Sequence, residues 1–156
     1  MNRETEVPSM HPTIREIQES DLCGLLQLYT HLHDNPFPDP ETCRPVWEAI
    51  RRDPNHHVFV ADSPEDGLVS SCVLIIVPNL THAQRPYGLI ENVVTDPRYR
   101  DRGLATACLT KAADTAGKAG CYKLMLLTGS KEESTLHFYE RAGFNRSDKT
   151  GFVRWL

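Results

Sequence analysis

Glu91-Asn92-Val93-Val94-Thr95-Asp96-Pro97-Arg98-Tyr99-Arg100-Asp101-Arg102-Gly103-Leu104-Ala105 reads as a strand, a basic turn around one glycine, and the opening of a long helix. Such a turn aims several main-chain N–H groups at one point, at the positive end of a helix dipole, an arrangement that holds phosphate oxygens. Gly103 puts no Cβ where the chain would hug a ligand. The amides from about Asp101 to Thr106 are left unpaired by the helix they begin. No Gly-Lys-Ser/Thr follows and the region has a single glycine, so it is neither a Walker A loop nor a Rossmann fingerprint. Taken alone, the six residues 100–105 read equally well as a strand-to-helix turn with solvated arginines.

Working outward, 87–95 is the strand and 103–118 the helix, with Leu104, Cys108, Leu109, Ala112 and Ala116 on one face and Gly120 as the stop. Before them, 13–17 alternates as a short strand. Ser20 or Asp21 offers an N-cap to a helix carrying Leu22, Leu25, Leu26 and Tyr29. Prolines at 36, 38 and 40 make that stretch irregular, and a helix follows over 43–52. Strands over 57–61 and 68–77 form a hairpin through Pro64-Glu65-Asp66-Gly67. After the long helix come a buried strand over 122–128, a helix over 132–142 ended by Gly143, and closing strands from 144 onward, the last at 151–156. The order β-α-α-β-β-β-α-β-α-β predicts one α/β domain.

The chain has 156 residues, 40% of them apolar and 24% charged, with a net charge of −4. That is enough for one core, and the acidic balance argues against general nucleic-acid binding. Residues 1–11 read as a flexible polar tail without a signal-peptide core. The longest apolar run, 72–77, is too short to cross a membrane. Five scattered cysteines without a Cys-x-x-Cys pair suggest reduced, mostly buried thiols and a cytoplasmic protein. His31 and His33, and the adjacent His56 and His57, lack the spacing of a helical metal site, so no metal is expected.

The second informative stretch is Leu136-His137-Phe138-Tyr139-Glu140-Arg141-Ala142-Gly143-Phe144. With the turn before it, in this order, the sequence resembles the GNAT superfamily of acyl-CoA-dependent N-acyltransferases. Within that superfamily, Leu89-Ile90-Glu91-Asn92-Val93-Val94 and Gly120-Cys121-Tyr122-Lys123-Leu124 are most similar to glucosamine-6-phosphate N-acetyltransferases. The resemblance implies an N-acetyltransferase domain over 12–156, with a mixed, mostly antiparallel sheet flanked by helices and splayed between the fourth and fifth strands. It implies acetyl-CoA as cosubstrate. Its diphosphate would be cradled by Arg100, Asp101, Arg102, Gly103, Leu104, Ala105 and Thr106. Its pantetheine arm would pair with Val93, Val94 and Thr95 as an added strand, and Ser134 and Phe138 would add contacts. Arg98, Arg100 and Arg102 either reach the phosphates or are a solvated basic turn; at least one is expected to touch the cofactor.

Tyr139 would be the general acid for the departing thiolate. A phenol of pKa ~10 is protonated at neutral pH, against ~8.5 for a thiol. Glu91 interrupts an apolar strand, where a carboxylate is costly unless solvated or paired. It reads either as the base that takes the amine proton, through water, or as an ion-paired or solvent-facing edge residue. His31, His33 and Asp34, between the first two helices, and Asn92 are acceptor-site candidates. Asn92 and Leu127 depart from the acidic residues that the sugar-phosphate enzymes carry there, and Glu132-Glu133-Ser134 replaces a cofactor-binding asparagine found in many members. Arg146, Lys149 and Arg154 read as contacts to an acidic acceptor or as exposed salt bridges. The implied reaction is direct acetyl transfer to the primary amine of a small molecule in a ternary complex. A protein lysine or N-terminal acetyltransferase and a non-catalytic CoA-binding module are the alternatives. A homodimer is implied by analogy alone.

Overall fold

In the computed structural model, which describes residues 11–32 and 36–156, a five-stranded sheet follows chain order: β1 (Thr13–Glu16), β2 (His56–Ser63), β3 (Gly67–Val77), β4 (Tyr87–Thr95) and β5 (Leu124–Leu126). Neighbours are antiparallel except β4 and β5, which are parallel. A parallel step needs a crossover, and α4 (Leu104–Lys118) supplies it. Helices α1 (Leu22–Tyr29) and α2 (Pro40–Arg52) cover one sheet face; α4 and α5 (Glu133–Arg141) cover the other. One further turn, α3 (Thr81–Gln84), carries left-handed residues at 82–84 and stacks His82 on Tyr122 at 3.9 Å.

Both sheet faces are covered, so β2 reads as a continuous apolar run: Val58, Phe59, Val60 and Ala61 are all buried. Val58 and Val60 meet α1 and α2, while Phe59 and Ala61 meet α4. The expected face of α4 is the buried one, with Cys108, Leu109, Ala112 and Ala116 inside. Gly120, at φ 82, ends the segment after α4. At the sheet's edge Arg15 bridges Asp21 at 2.7 Å and Asp62 at 2.9 Å. Burial would raise the Asp21 carboxyl, but Arg15 and the Gln18 N–H hold it below its ordinary range. Asp21 therefore braces the start of α1 through its carboxylate without capping it.

Several elements differ from the sequence reading. α2 begins at Pro40 rather than 43, because Asp39 accepts the Glu41 N–H at 3.1 Å and proline suits a first helical position. The strand expected over 122–128 is three residues long and not buried; Met125 is 42% exposed. Its only ladder is to Gly88, Leu89 and Ile90, so the sheet splays beyond that point. Among the described residues no strand follows α5. The segment 151–156 pairs with no strand, and leaves Phe152 at 90% and Trp155 at 91% exposure. Of the cysteines, all free, only Cys72 and Cys108 are buried, while Cys23 is exposed. The tail at 1–10, His33 and Asp34 lie outside the described residues. No helix among the described residues is long and apolar enough to cross a membrane.

Candidate functional site

The pivot of the site is a bulge in β4. Ser71 pairs with Val94 and Val73 with Glu91, so Asn92 and Val93 together oppose the single residue Cys72. Asn92 takes up the extra length at φ 49, a left-handed conformation that asparagine tolerates better than its β-branched neighbours. Alternation breaks here. Glu91 and Asn92 both face the α1–α2 side, whereas Val93 packs into the core on the α4 side. Two cavities meet β4, one on each side of this kink.

The first is a groove of about 750 Å³ on the α4 side. Its floor is Val93, Val94 and Thr95, whose β5-facing edge has no strand partner because the β4–β5 ladder stops at Ile90. Its head is the turn Arg100, Asp101, Gly103, Leu104, Ala105 and Thr106. Asp101 and Gly103 are left-handed, at φ 59 and 76, and Gly103 is the N-cap of α4 with no side chain closing it. The first-turn amides of α4 are therefore free of a cap and face an anion-sized concavity. A Cβ on Gly103 would meet nothing within 4 Å, so the ground above the turn is open.

The basic residues of this turn divide. Arg98 is held by Asp96 at 2.8 Å and Asp66 at 3.2 Å. Arg102 lies over the Tyr99 ring, 4.7 Å from its centre, and does not line the groove with its side chain. Tyr99 is itself fixed by its hydroxyl donating to Asp66 at 2.6 Å. Arg100 alone of the three lines the groove.

The opposite wall is α5. Ser134 and Thr135 in its first turn and Phe138, Tyr139 and Arg141 beyond them face the groove. Glu132, the N-cap of α5, makes no side-chain cap, so a second uncapped helix start adjoins the same space. Tyr139 is half-buried between Phe138 and Phe144, edge-on to both rings at 5.0 and 6.2 Å. Burial pushes its pKa up, and Cys72 adds to this, so the phenol is protonated throughout the neutral range. His31 also lines the groove, with Nε2 4.0 Å from Asp96, rather than the acceptor side expected of it.

The second cavity, about 530 Å³, lies between α1, α2 and the sheet. Glu91 and Asn92 are exposed at its edge, and among the described residues Glu91 is in no ion pair. Tyr29 faces Asn92 and Ser71; burial raises the phenol to about 12, partly offset by those two side chains. Arg146 is committed to Glu133 and Glu140 at 3.2 and 2.9 Å, the salt-bridge alternative of its sequence reading.

All the residues expected to bind cofactor, Arg102 excepted, line one groove with Tyr139, while Glu91 and Asn92 line the neighbouring cavity. The sequence reading missed Leu32, Tyr99, Thr135 and Arg141 in the groove, and the bulge; an asparagine inside a β-branched run was the available sign of the last.

The Acetyltransferase (GNAT) family profile matches residues 25–144. A glucosamine 6-phosphate N-acetyltransferase of Trypanosoma brucei brucei is 32% identical, covering 87% of this chain and 90% of its own. One from rice (Oryza sativa subsp. japonica) is 28% identical, over 84% and 79%. A solved structure from Agrobacterium tumefaciens, provisionally called an acetyltransferase, superposes with a TM-score of 0.85 at 38% identity, covering 92% of this chain and 99% of that one.

Proposed function

The chain belongs to the GNAT acetyltransferase family, and we propose that it transfers the acetyl group of acetyl-CoA to a primary amine of a small molecule by direct attack in a ternary complex. The observation that carries this reading is the convergence on one groove of the uncapped α4 turn, the unpaired edge of Val93–Thr95, and the protonated Tyr139. Acetyl-CoA supplies an activated thioester to that groove. The amides of residues 100–106, with Arg100, hold its diphosphate. The free edge of Val93, Val94 and Thr95 takes the pantetheine as an added strand, and one N–H of that edge stabilises the oxyanion. Ser134 and Phe138 close the far wall.

Glu91, exposed and unpaired at the bulge, receives the proton of the attacking ammonium through water. Tyr139 donates to the developing thiolate. Complete transfer from a phenol of pKa ~10 to a thiolate of ~8.5 is uphill by about 2 kcal/mol. Its main contribution is therefore a hydrogen bond that strengthens as the C–S bond breaks, with the proton replaced from solvent. Asn92 and His31 flank the reacting centre from the two sides of β4.

Residues 12–156 form the catalytic unit of this reading, and free thiols fit a reducing cytosol. A homodimer would cover the apolar segment that ends in Phe152, Trp155 and Leu156. The decisive experiment incubates the protein with acetyl-CoA and a panel of small amines, reading free-thiol release, alongside calorimetry with acetyl-CoA. Uptake of acetyl-CoA and amine-dependent release are expected; neither occurring would overturn the reading.

A further inference from the structure

Which amine the protein takes is written in the cavity on the α1–α2 side of β4. Strand register builds its floor: Val58, Val73 and Glu91 form one cross-strand row, and His56 and Ile75 belong to the next row on the same face. Tyr29 from α1 and Trp47 from α2 stand over that floor. The volume, about 530 Å³, falls within the range of about 300–1,000 Å³ that encloses small organic ligands.

The chemistry of the walls is one-sided. They are largely hydrocarbon and aromatic, and among the described residues no lysine or arginine lines them. The arginines of α2 are turned to partners elsewhere: Arg44 to Glu41, Arg51 to Glu48 and Glu19, Arg52 to Glu48. Burial lowers the pKa of His56, the one imidazole among the described lining residues, so it brings no positive charge at neutral pH. A phosphate placed here would lose its hydration without gaining a counter-charge, and sugar hydroxyls would find few partners. At the edge nearest the groove, the carboxylate of Glu91 and the amide of Asn92 offer what an ammonium needs. The bulge puts both on this face, one residue before Val93 enters the cofactor groove.

We propose that the acceptor is an amine with an uncharged, apolar body, aryl or alkyl. Its body fills the cavity between α1, α2 and the sheet, and its ammonium lies at Glu91 and Asn92. This rests on the acetyl-transfer reading above. The cavity differs in kind from one suited to the sugar phosphate named for the trypanosomal relative. A long acyl chain on the thioester would also be apolar, but it would carry no charge to answer Glu91.

The test compares kcat/KM for propylamine, butylamine, hexylamine and 2-phenylethylamine with that for glucosamine 6-phosphate, all with acetyl-CoA. Each methylene should raise kcat/KM about fourfold, the factor corresponding to burial of one CH2. Glucosamine 6-phosphate should be at least about 100-fold poorer than 2-phenylethylamine. Val46→Trp adds bulk from the outer side of α2, where Val46 is 63% exposed and its replacement leaves the core intact. It should lower kcat/KM for 2-phenylethylamine about tenfold or more while acetyl-CoA affinity is unchanged. A flat chain-length series, or preference for the sugar phosphate, overturns the proposal and leaves acetyl transfer standing. Preference for octanoyl-CoA over acetyl-CoA, lost in Val46→Trp, also overturns it by giving the cavity to the acyl chain. If acetyl-CoA is not bound and no amine is acetylated, the transfer reading falls. Calorimetry with 2-phenylethylamine alone then decides the cavity: uptake supports the apolar occupant, and none overturns it.

Discussion

The groove and the cavity lie back to back on one strand and are made of different material. The groove is built around exposed main chain, the edge of Val93, Val94 and Thr95 and the turn into α4, with side chains of α5 and of His31, Leu32 and Tyr99 beside it. The cavity is almost wholly side chain, drawn from α1, α2, β2, β3 and β4. A wall of amides is indifferent to most substitutions that keep its φ and ψ, so it suits a ligand shared by every member of a family. A wall of side chains changes with each substitution, and is where an acceptor preference is set. Asn92, one left-handed residue, separates the two.

Substitutions should therefore act on one side or the other, and the largest effect belongs to the groove's general acid. Tyr139→Phe removes only a hydroxyl from a half-buried ring. It should lower kcat by about 10²–10⁴ with acetyl-CoA affinity nearly unchanged, measured by thiol release and calorimetry; an unaltered rate would end the acid assignment. Glu91→Gln tests the cavity side. A loss of about 10² in kcat/KM is expected at neutral pH, recovering as pH rises and the amine deprotonates in solution. A profile parallel to the parent's would mean that Glu91 only faces solvent.

Gly103→Val tests the groove. Its φ of 76 is hostile to a β-branched residue, so stability should fall by about 1–2 kcal/mol, seen as a lower Tm. A side chain over the turn should weaken acetyl-CoA at least about tenfold, since a phosphate–amide contact is charge-assisted. Preference among amines should not change; if it does, the two sites are not separable. The smallest effects distinguish the arginines. Arg100→Ala should weaken acetyl-CoA by about three- to tenfold at low salt. Arg98→Ala, already tied to Asp96 and Asp66, should leave that affinity within about twofold; the reverse ranking would misplace the diphosphate.

Legibility follows the same division. The turn at 100–106 and the buried face of α4 could be read because each is contiguous or periodic, and its chemistry is carried by neighbours in sequence. Tyr139 was legible from the residues around it. The true start of α2 was also in the string, as Asp39 followed by Pro40, but three prolines in five residues masked a cap as a break. The strand expected at 151–156 failed for a different reason. Its composition suits a strand, yet a strand exists only where a neighbour's edge is long enough to pair with, and the outer edge of β5 is three residues long.

The sequence alone determined the local devices: a left-handed glycine, helix amides without a cap, an apolar stripe at helical spacing, and a tyrosine near a helix end. Each depends on interactions over a few residues, so the order of letters suffices. Tertiary structure decided which of these share a space and what lies beyond them. The cavity exists because the register of β2, β3 and β4 brings Val58, Val73 and Glu91 into one row, and because an extra residue at Asn92 turns two polar side chains the same way. Register and bulge are set by pairing between segments far apart in the chain, which no local pattern records.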